Sequence, residues 1–267
     1  MKYTIMGAGG YIGSKLKTAL EERGDRVLSP ARGEELQLAS GAEDLGHVIY
    51  AIGLTGDFRS RFFDTVEAHV TLLAHVLKHA RFSSFLYLSS TRAYQDCNLD
   101  HAQSEEDFVL VKPSADGIYN ISKLLGESIC LAQSNTAVRI ARLSNVYSRD
   151  MDRTSFLGHV LQDVRGSGSC KILESPKSEK DYVHVEDVVK LLLRIAPEGL
   201  NRLYNVASGE NVSHADIAAK LSQSSGATIT FEENSQVRRF PHIDISKIRS
   251  EFGFEPQNLL NELPNLL

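Results

Sequence analysis

Cysteine is scarce in this sequence: Cys97, Cys130 and Cys170 are the only three in 267 residues, widely spaced and without a CxxC pair. That excludes a disulfide framework, offers no zinc-ligand spacing and fits a reducing compartment. Long apolar runs are missing too, and none approaches the ~18 residues of a membrane-crossing helix. Nor is there an excess of one charge. Lys and Arg number 29 against 34 Asp and Glu, a net charge of −5, so no basic field is available for wrapping nucleic acid. Repeats, low-complexity tracts and linkers are absent, and 42% hydrophobic residues exclude disorder as the dominant state. The opening run Met1–Met6 meets glycine too early to read as a signal peptide. These absences lead us to expect a cytoplasmic chain with no metal site, no nucleic-acid partner and no membrane partner.

What is present is an alternation. Short apolar runs at Tyr3–Met6, Arg26–Ser29, His47–Ile52, Phe85–Ser89 and Ala137–Arg142 read as strands. Between them lie stretches of helical spacing: Ile12–Arg23, the stripe Val66, Val70, Leu73 and Leu77, and Gly117–Ala132. Strands alternating with helices imply βαβ crossovers, so the expected fold is α/β: a Rossmann-type doubly wound parallel sheet with a small C-terminal substrate lobe. Residues 1–147 are expected to form the dinucleotide-binding domain and 148–267 mainly the substrate lobe, with about 181–206 returning to the first. In that second part, Phe156–Val164 and Val188–Ile195 read as helices and Cys170–Leu173 as a strand. Ser213 with Asp216 reads as a capping box, and Asp244–Phe252 as a helix stopped by Gly253.

Gly7-Ala8-Gly9-Gly10-Tyr11-Ile12-Gly13 joins the first strand to the first helix. Glycines there allow a tight turn and let a pyrophosphate approach the helix N-terminus, where unpaired N–H groups and the helix dipole favour anions. Gly13 allows close helix–strand packing. At the end of the second strand, where a carboxylate would bind the ribose of NAD, stand Ser29-Pro30-Ala31-Arg32. A hydroxyl and a guanidinium suit the 2′-phosphate of NADP, although a solvated surface arginine has the same appearance.

Tyr119 and Lys123 lie four apart on the helix Gly117–Ala132, hence on one face. An ammonium near a phenol stabilises the tyrosinate and readies it for proton transfer. The strand before that helix ends in Ser89-Ser90-Thr91, and strand C-termini form the crevice of a doubly wound sheet. Ser90 or Thr91 would therefore emerge beside a cofactor, able to hold a substrate carbonyl while Tyr119 protonates it.

Taken in order, Gly7–Gly13, Ser89–Tyr94, Tyr119–Lys123, Arg142–Tyr147, Asp181–Asp187, Leu203–Gly209 and Phe252–Pro256 resemble the extended short-chain dehydrogenase/reductases, the NAD(P)-dependent epimerase/dehydratase family, over nearly the whole chain. The resemblance implies a catalytic set of Ser90, Tyr119 and Lys123, with Thr91 as the fallback hydroxyl. It implies cofactor contacts from Gly7, Gly10, Tyr11, Ile12, Gly13, Arg32, Ala51, Tyr119 and Lys123. Asn145 matches an asparagine beside the substrate diphosphate, and a turn-capping role is the alternative. Ser90 and Thr91 would also touch substrate. Arg238, in the basic pair Arg238-Arg239, suits a diphosphate or is solvated surface charge.

The departures narrow the reaction. Sugar dehydratases of the family carry an Asp-Glu pair where this chain has Thr91 and Arg92, and arginine is no proton shuttle at neutral pH. The acid that accompanies retained NAD is missing, which resembles the reductase branch. The expected activity is NADPH-dependent reduction of a carbonyl, the 4-keto group of a nucleotide-activated deoxysugar. NADP(H) is the expected cofactor and NAD(H) the alternative. A nucleotide-sugar epimerase with retained NAD is the first rival, and a non-catalytic NADP-binding sensor or scaffold the second. The stripe from Val66 to Leu77 and the Tyr119 helix are candidates for a homodimer interface, with one buried face within a monomer as the alternative. His69 and His184 read as structural, and His101 with Glu105, Glu106 and Asp107 as a solvated flap.

Overall fold

A computed structural model describes every residue of the chain except number 55. It begins β1 (Lys2–Met6), α1 (Tyr11–Glu22), β2 (Arg26–Leu28), α2 (Glu35–Ala39), β3 (His47–Tyr50), α3 (Phe62–Val66), a π-helical stretch Glu67–Thr71, α4 (Leu72–His79) and β4 (Ser84–Ser90). It goes on through α5 (Ile118–Leu131), β5 (Val138–Leu143), β6 (Asn145–Tyr147), α6 (Phe156–Ser167), β7 (Ser169–Ile172) and β8 (Glu179–His184). The remainder is α7 (Val185–Glu198), β9 (Leu203–Val206), β10 (Asn211–Ser213), α8 (His214–Ser225), β11 (Thr228–Phe231), α9 (Ser246–Phe252) and α10 (Leu259–Glu262).

Six strands form one parallel sheet in the order β2-β1-β3-β4-β5-β9. The chain leaves β1 for one edge and returns to the other side of it at β3. That reversal opens a crevice at the strand C-termini. Side-chain alternation supplies both faces. Tyr3, Ile5, Ile49, Leu86 and Leu88 join α1 and α7 in one core, whereas Met6, Val48, Tyr50, Phe85 and Tyr87 join α4 and α5 in the other.

A second unit has its own core of Tyr147, Leu157, Leu161, Tyr182, Ile217, Leu221 and Leu263. Its strands pair as β10-β8-β6 and β11-β7. β8 therefore lies outside the six-stranded sheet, while β9 and the buried stripe of α7 belong to it. The Ser213 cap forms as the spacing suggests, its hydroxyl accepting from the Asp216 N–H at 3.0 Å. Two expectations are corrected. β3 ends at Tyr50, because Ala51 and Ile52 turn into the crevice, and α9 starts at Ser246 rather than Asp244, whose carboxylate accepts the Ser246 N–H at 2.8 Å.

Candidate active site

The glycine loop sits flat against the end of β3. Gly7 has φ +88°, and a Cβ there would lie 2.9 Å from the Ala51 carbonyl carbon. A Cβ on Gly13 would lie 2.1 Å from the Gly7 carbonyl oxygen, so α1 can press this closely against the loop only with glycine. No side chain caps α1, which leaves its first N–H groups free of side-chain partners. A bare, uncapped helix start at a sheet's switch point fits the phosphates of a dinucleotide. Tyr11, Ile12 and Ala51 line a cavity of about 530 Å³ that runs from this loop into the second unit. The Tyr11 hydroxyl donates to Ser148 at 2.5 Å, tying α1 to the residue that follows β6.

Arg32 lies apart from this cavity, exposed on the β2–α2 loop. The loop is pinned by acids: Glu34 accepts the Ala31 N–H at 2.9 Å and Glu35 the Gly33 N–H at 2.6 Å. Carboxylates thus stand close to Arg32, although none occupies the end of β2 itself.

At the other end of the cavity, β4 delivers Ser90 and the first turn of α5 delivers Tyr119. Ser90 Oγ accepts the Arg92 N–H at 3.2 Å, and Ser90 and Tyr119 line the same cavity. The close approach of α5 to β4 depends on Gly126, where a Cβ would meet the Tyr87 hydroxyl at 2.6 Å. Lys123 Nζ, buried one turn beyond Tyr119, donates to the Leu88 carbonyl at 2.8 Å. Burial pushes its ammonium down to about 7, against the pull of Glu127. Burial pushes the Tyr119 phenol up, while the polar Ser90 and the Arg92 charge act the other way. The structure therefore brings Ser90, Tyr119 and Lys123 together on one wall. Thr91 is less free: its hydroxyl is turned to the Leu143 carbonyl at 3.4 Å.

His69 lies behind this wall, as a buried residue of the π-helical stretch, edge-on to Tyr119 with centroids 5.4 Å apart. Its Nε2 accepts the Leu54 N–H at 3.3 Å and its Nδ1 contacts Ser122 Oγ at 2.9 Å, which defines a neutral ring. Burial, then Lys123, hold its pKa down to about 2. Beneath lies a buried ion pair, Arg142 to Glu127 at 2.6 Å, with Ser89 also donating to Glu127.

Towards the second unit the cavity is lined by Arg59, Arg92, Asn145, Phe156, Lys180, Tyr182 and Arg238. Asn145 spends one amide N–H on the Asp181 carbonyl at 2.8 Å, so it braces β8 as well as facing the cavity. Arg238 anchors its backbone N–H on Ser178 and is exposed. Lys180 stacks over Phe156 at 5.1 Å, and Phe156 on His214 at 3.8 Å.

Lys180 and Phe156 escaped sequence reasoning because neither stands in a spaced motif, and Tyr182 was given no role although it lies within Asp181–Asp187. Lys180 had one available signal, its place beside Asp181–Asp187. The acidic segment is corrected: Glu105 is buried and accepts the Asn205 N–H at 2.7 Å, while Glu106 stays exposed. His184 caps α7 and is structural. Outside the cavity, His159, Asp163 and Cys170 lie within 4.8 Å of one another, but Asp163 is neutralised by Arg153 at 2.6 Å.

The model of the NAD dependent epimerase/dehydratase family matches residues 3–207. The chain belongs to that family. It is therefore an enzyme of the NAD(P)-dependent oxidoreductase type, and a nicotinamide dinucleotide is the family's cofactor class. A dTDP-4-dehydro-6-deoxy-D-allose reductase of Streptomyces sp is 22% identical, the match covering 96% of this chain and 91% of the reductase. Two solved structures share the fold. RMD from Pseudomonas aeruginosa complexed with NADPH superposes with a TM-score of 0.82 at 20% identity, covering 100% of this chain and 98% of the other. UDP-glucuronic acid 4-epimerase from Bacillus cereus, in complex with UDP-glucuronic acid and NAD, gives 0.82 at 18% identity, covering 100% and 97%. No helix among the described residues is long and apolar enough to cross a membrane.

Proposed function

We propose that this chain reduces the 4-keto group of a nucleotide-activated deoxysugar with NADPH. The reading is carried by one observation: Ser90, Tyr119 and Lys123 line the same cavity as Tyr11 and Ile12, the first residues of an uncapped helix. When bound, the dinucleotide supplies the hydride. Gly7, Gly10, Tyr11, Ile12, Gly13 and Ala51 hold its phosphates and sugars. Ser90 Oγ holds the substrate carbonyl oxygen, and Tyr119 Oη gives up its proton to that oxygen. Lys123, buried on the same wall, orients the nicotinamide ribose and, as the ammonium, favours the tyrosinate left behind. Asn145, Lys180 and Arg238 receive the substrate diphosphate. Residues 1–147 with α7 and β9 form the dinucleotide lobe in this reading, and most of the remainder forms the substrate lobe.

Reduction is preferred to dehydration because Thr91 and Arg92 supply neither acid nor base. The allose reductase supports a ketosugar substrate, and the NADPH and NAD complexes of the two solved structures support a nicotinamide cofactor of either kind. Arg32 favours NADPH. Glu34, which lines the groove beside Ser29 and Pro30, favours NAD as the second reading. Incubating a panel of nucleotide 4-ketosugars with NADPH and with NADH separates the cases. The proposal expects stoichiometric loss of NADPH absorbance with at least one member. Interconversion of sugars without net cofactor consumption would instead make the chain an epimerase.

A further inference from the structure

The guanidinium of Arg92 lies over the Tyr119 ring, 5.5 Å from its centroid, and over Phe58 at 5.0 Å. Its Nε donates to Gln95 at 3.2 Å, and among the described residues no carboxylate pairs with it. The neighbouring Arg59 is already matched, by Asp116. A half-buried cation without a counter-charge gains most from the nearest group able to become an anion, and here that group is the phenol beneath it. Lys123 is placed differently. It is bound to the Leu88 carbonyl and faces Gly53 and His69.

Resting on the reading that Tyr119 is the proton donor, we propose that Arg92 is a positioning residue that acts through Tyr119, stacking on its ring and stabilising the tyrosinate that forms in turnover. The step balances within the site. The Oη–H bond breaks, the proton goes to the substrate oxygen, the electron pair stays on Oη as phenolate, and a proton from water later restores the phenol. Every element packed on Tyr119 leaves that charge to cations. Its own helix brings Lys123, β4 brings Ser90, and the turn after β4 brings Arg92. The π-helical stretch brings His69, held neutral, and the β3–α3 loop brings Phe58 and Arg59. Asp116, just ahead of the helix, is the acid nearby and is occupied by Arg59. Arg238 adds a further positive charge from the second unit.

The account explains why an arginine can follow Ser90-Thr91 where a dehydratase keeps its acid–base pair: the position supports a proton donor and has no elimination to perform. It also separates the work of two cations. Lys123 serves the floor of the cavity, and Arg92 serves the open face of the phenol.

The test reads the ionisation of Tyr119 directly. The full chain is labelled with 13C at tyrosine Cζ, and its pH titration is followed by NMR. The Tyr119→Phe variant identifies which of the nine tyrosine resonances belongs to Tyr119. In Arg92→Met the Tyr119 midpoint should move up by about one pH unit, the shift expected of one cation at this range in a partly wet site. Arg92→Lys should recover most of that shift, and the alkaline limb of kcat/KM should move in parallel. Unchanged positions of the remaining tyrosine resonances verify that each variant keeps its fold. Coincident midpoints in wild type, Arg92→Met and Arg92→Lys would overturn the proposal. Failure of the underlying reading shows up elsewhere, as full turnover by Tyr119→Phe.

Discussion

Lys123 and His69 show how burial prepares single residues for chemistry. With its ammonium brought down to about 7, Lys123 can exchange its proton near neutrality, and the same burial keeps His69 neutral. Tyr119→Phe removes the transferable proton and little else. Turnover should fall by roughly 10²–10⁴-fold while dinucleotide affinity, measured by calorimetry, stays within about twofold. His69 also sets a pH dependence of stability. Its folded pKa is depressed, so the unfolded chain binds the extra proton first, and stability is lost as pH falls below the ordinary value of about 6.5. The loss should approach about 1.4 kcal/mol per pH unit for this residue. Urea unfolding at pH 7 and pH 5 should show a shallower drop for His69→Asn than for wild type; equal drops would contradict the assignment. At this scale the Tyr119–Lys123 pair was legible because helical geometry fixes what four residues' spacing means. His69 was not, since a lone histidine has no spacing partner and its inward placement comes from a π-helical turn.

Among elements, α1 is pressed against the glycine loop too closely for a side chain at Gly13. A methyl at Gly13 would meet backbone, which cannot rotate away. Gly13→Ala should therefore cost about 1–3 kcal/mol of stability and weaken dinucleotide binding at least tenfold, where a plain surface turn would tolerate it. Helix α5 is held to β5 by the buried pair of Glu127, 3% exposed, and Arg142, 4% exposed. Glu127→Ala strands the guanidinium and should cost about 3–5 kcal/mol, read as a lowered denaturation midpoint. The long strands and helices of the six-stranded sheet could be read from period-2 and period-3.6 patterns. Strands β6 and β10 could not: each is three residues long and is defined by β8, a partner distant in sequence. The acidic segment before α5 misled for a similar reason. Glu105 is buried by Asn205, a hundred residues away, and composition alone reports only solvation.

For the whole molecule, the helices beside the active site leave apolar surface uncovered. Leu73 and Leu77 are buried within the chain, contrary to their place in the expected interface, while Phe62, Phe63, Val66, Ile121 and Leu125 are exposed on α3 and α5. Paired copies would cover such a face, so sedimentation should report a dimer and Leu125→Glu should shift it towards monomer. The two-unit arrangement follows from the same logic of coverage. One unit spends its apolar faces on a parallel sheet and the other on a small separate core, and the cavity between them holds the reactive wall. The most direct measurement is isotopic: reduction of a nucleotide 4-ketosugar with NADPH deuterated at the nicotinamide C4 position, followed by NMR of the sugar. The account predicts one deuterium at sugar C4 and its absence with Tyr119→Phe. Product bearing no label, or label incorporated equally by that variant, would contradict it.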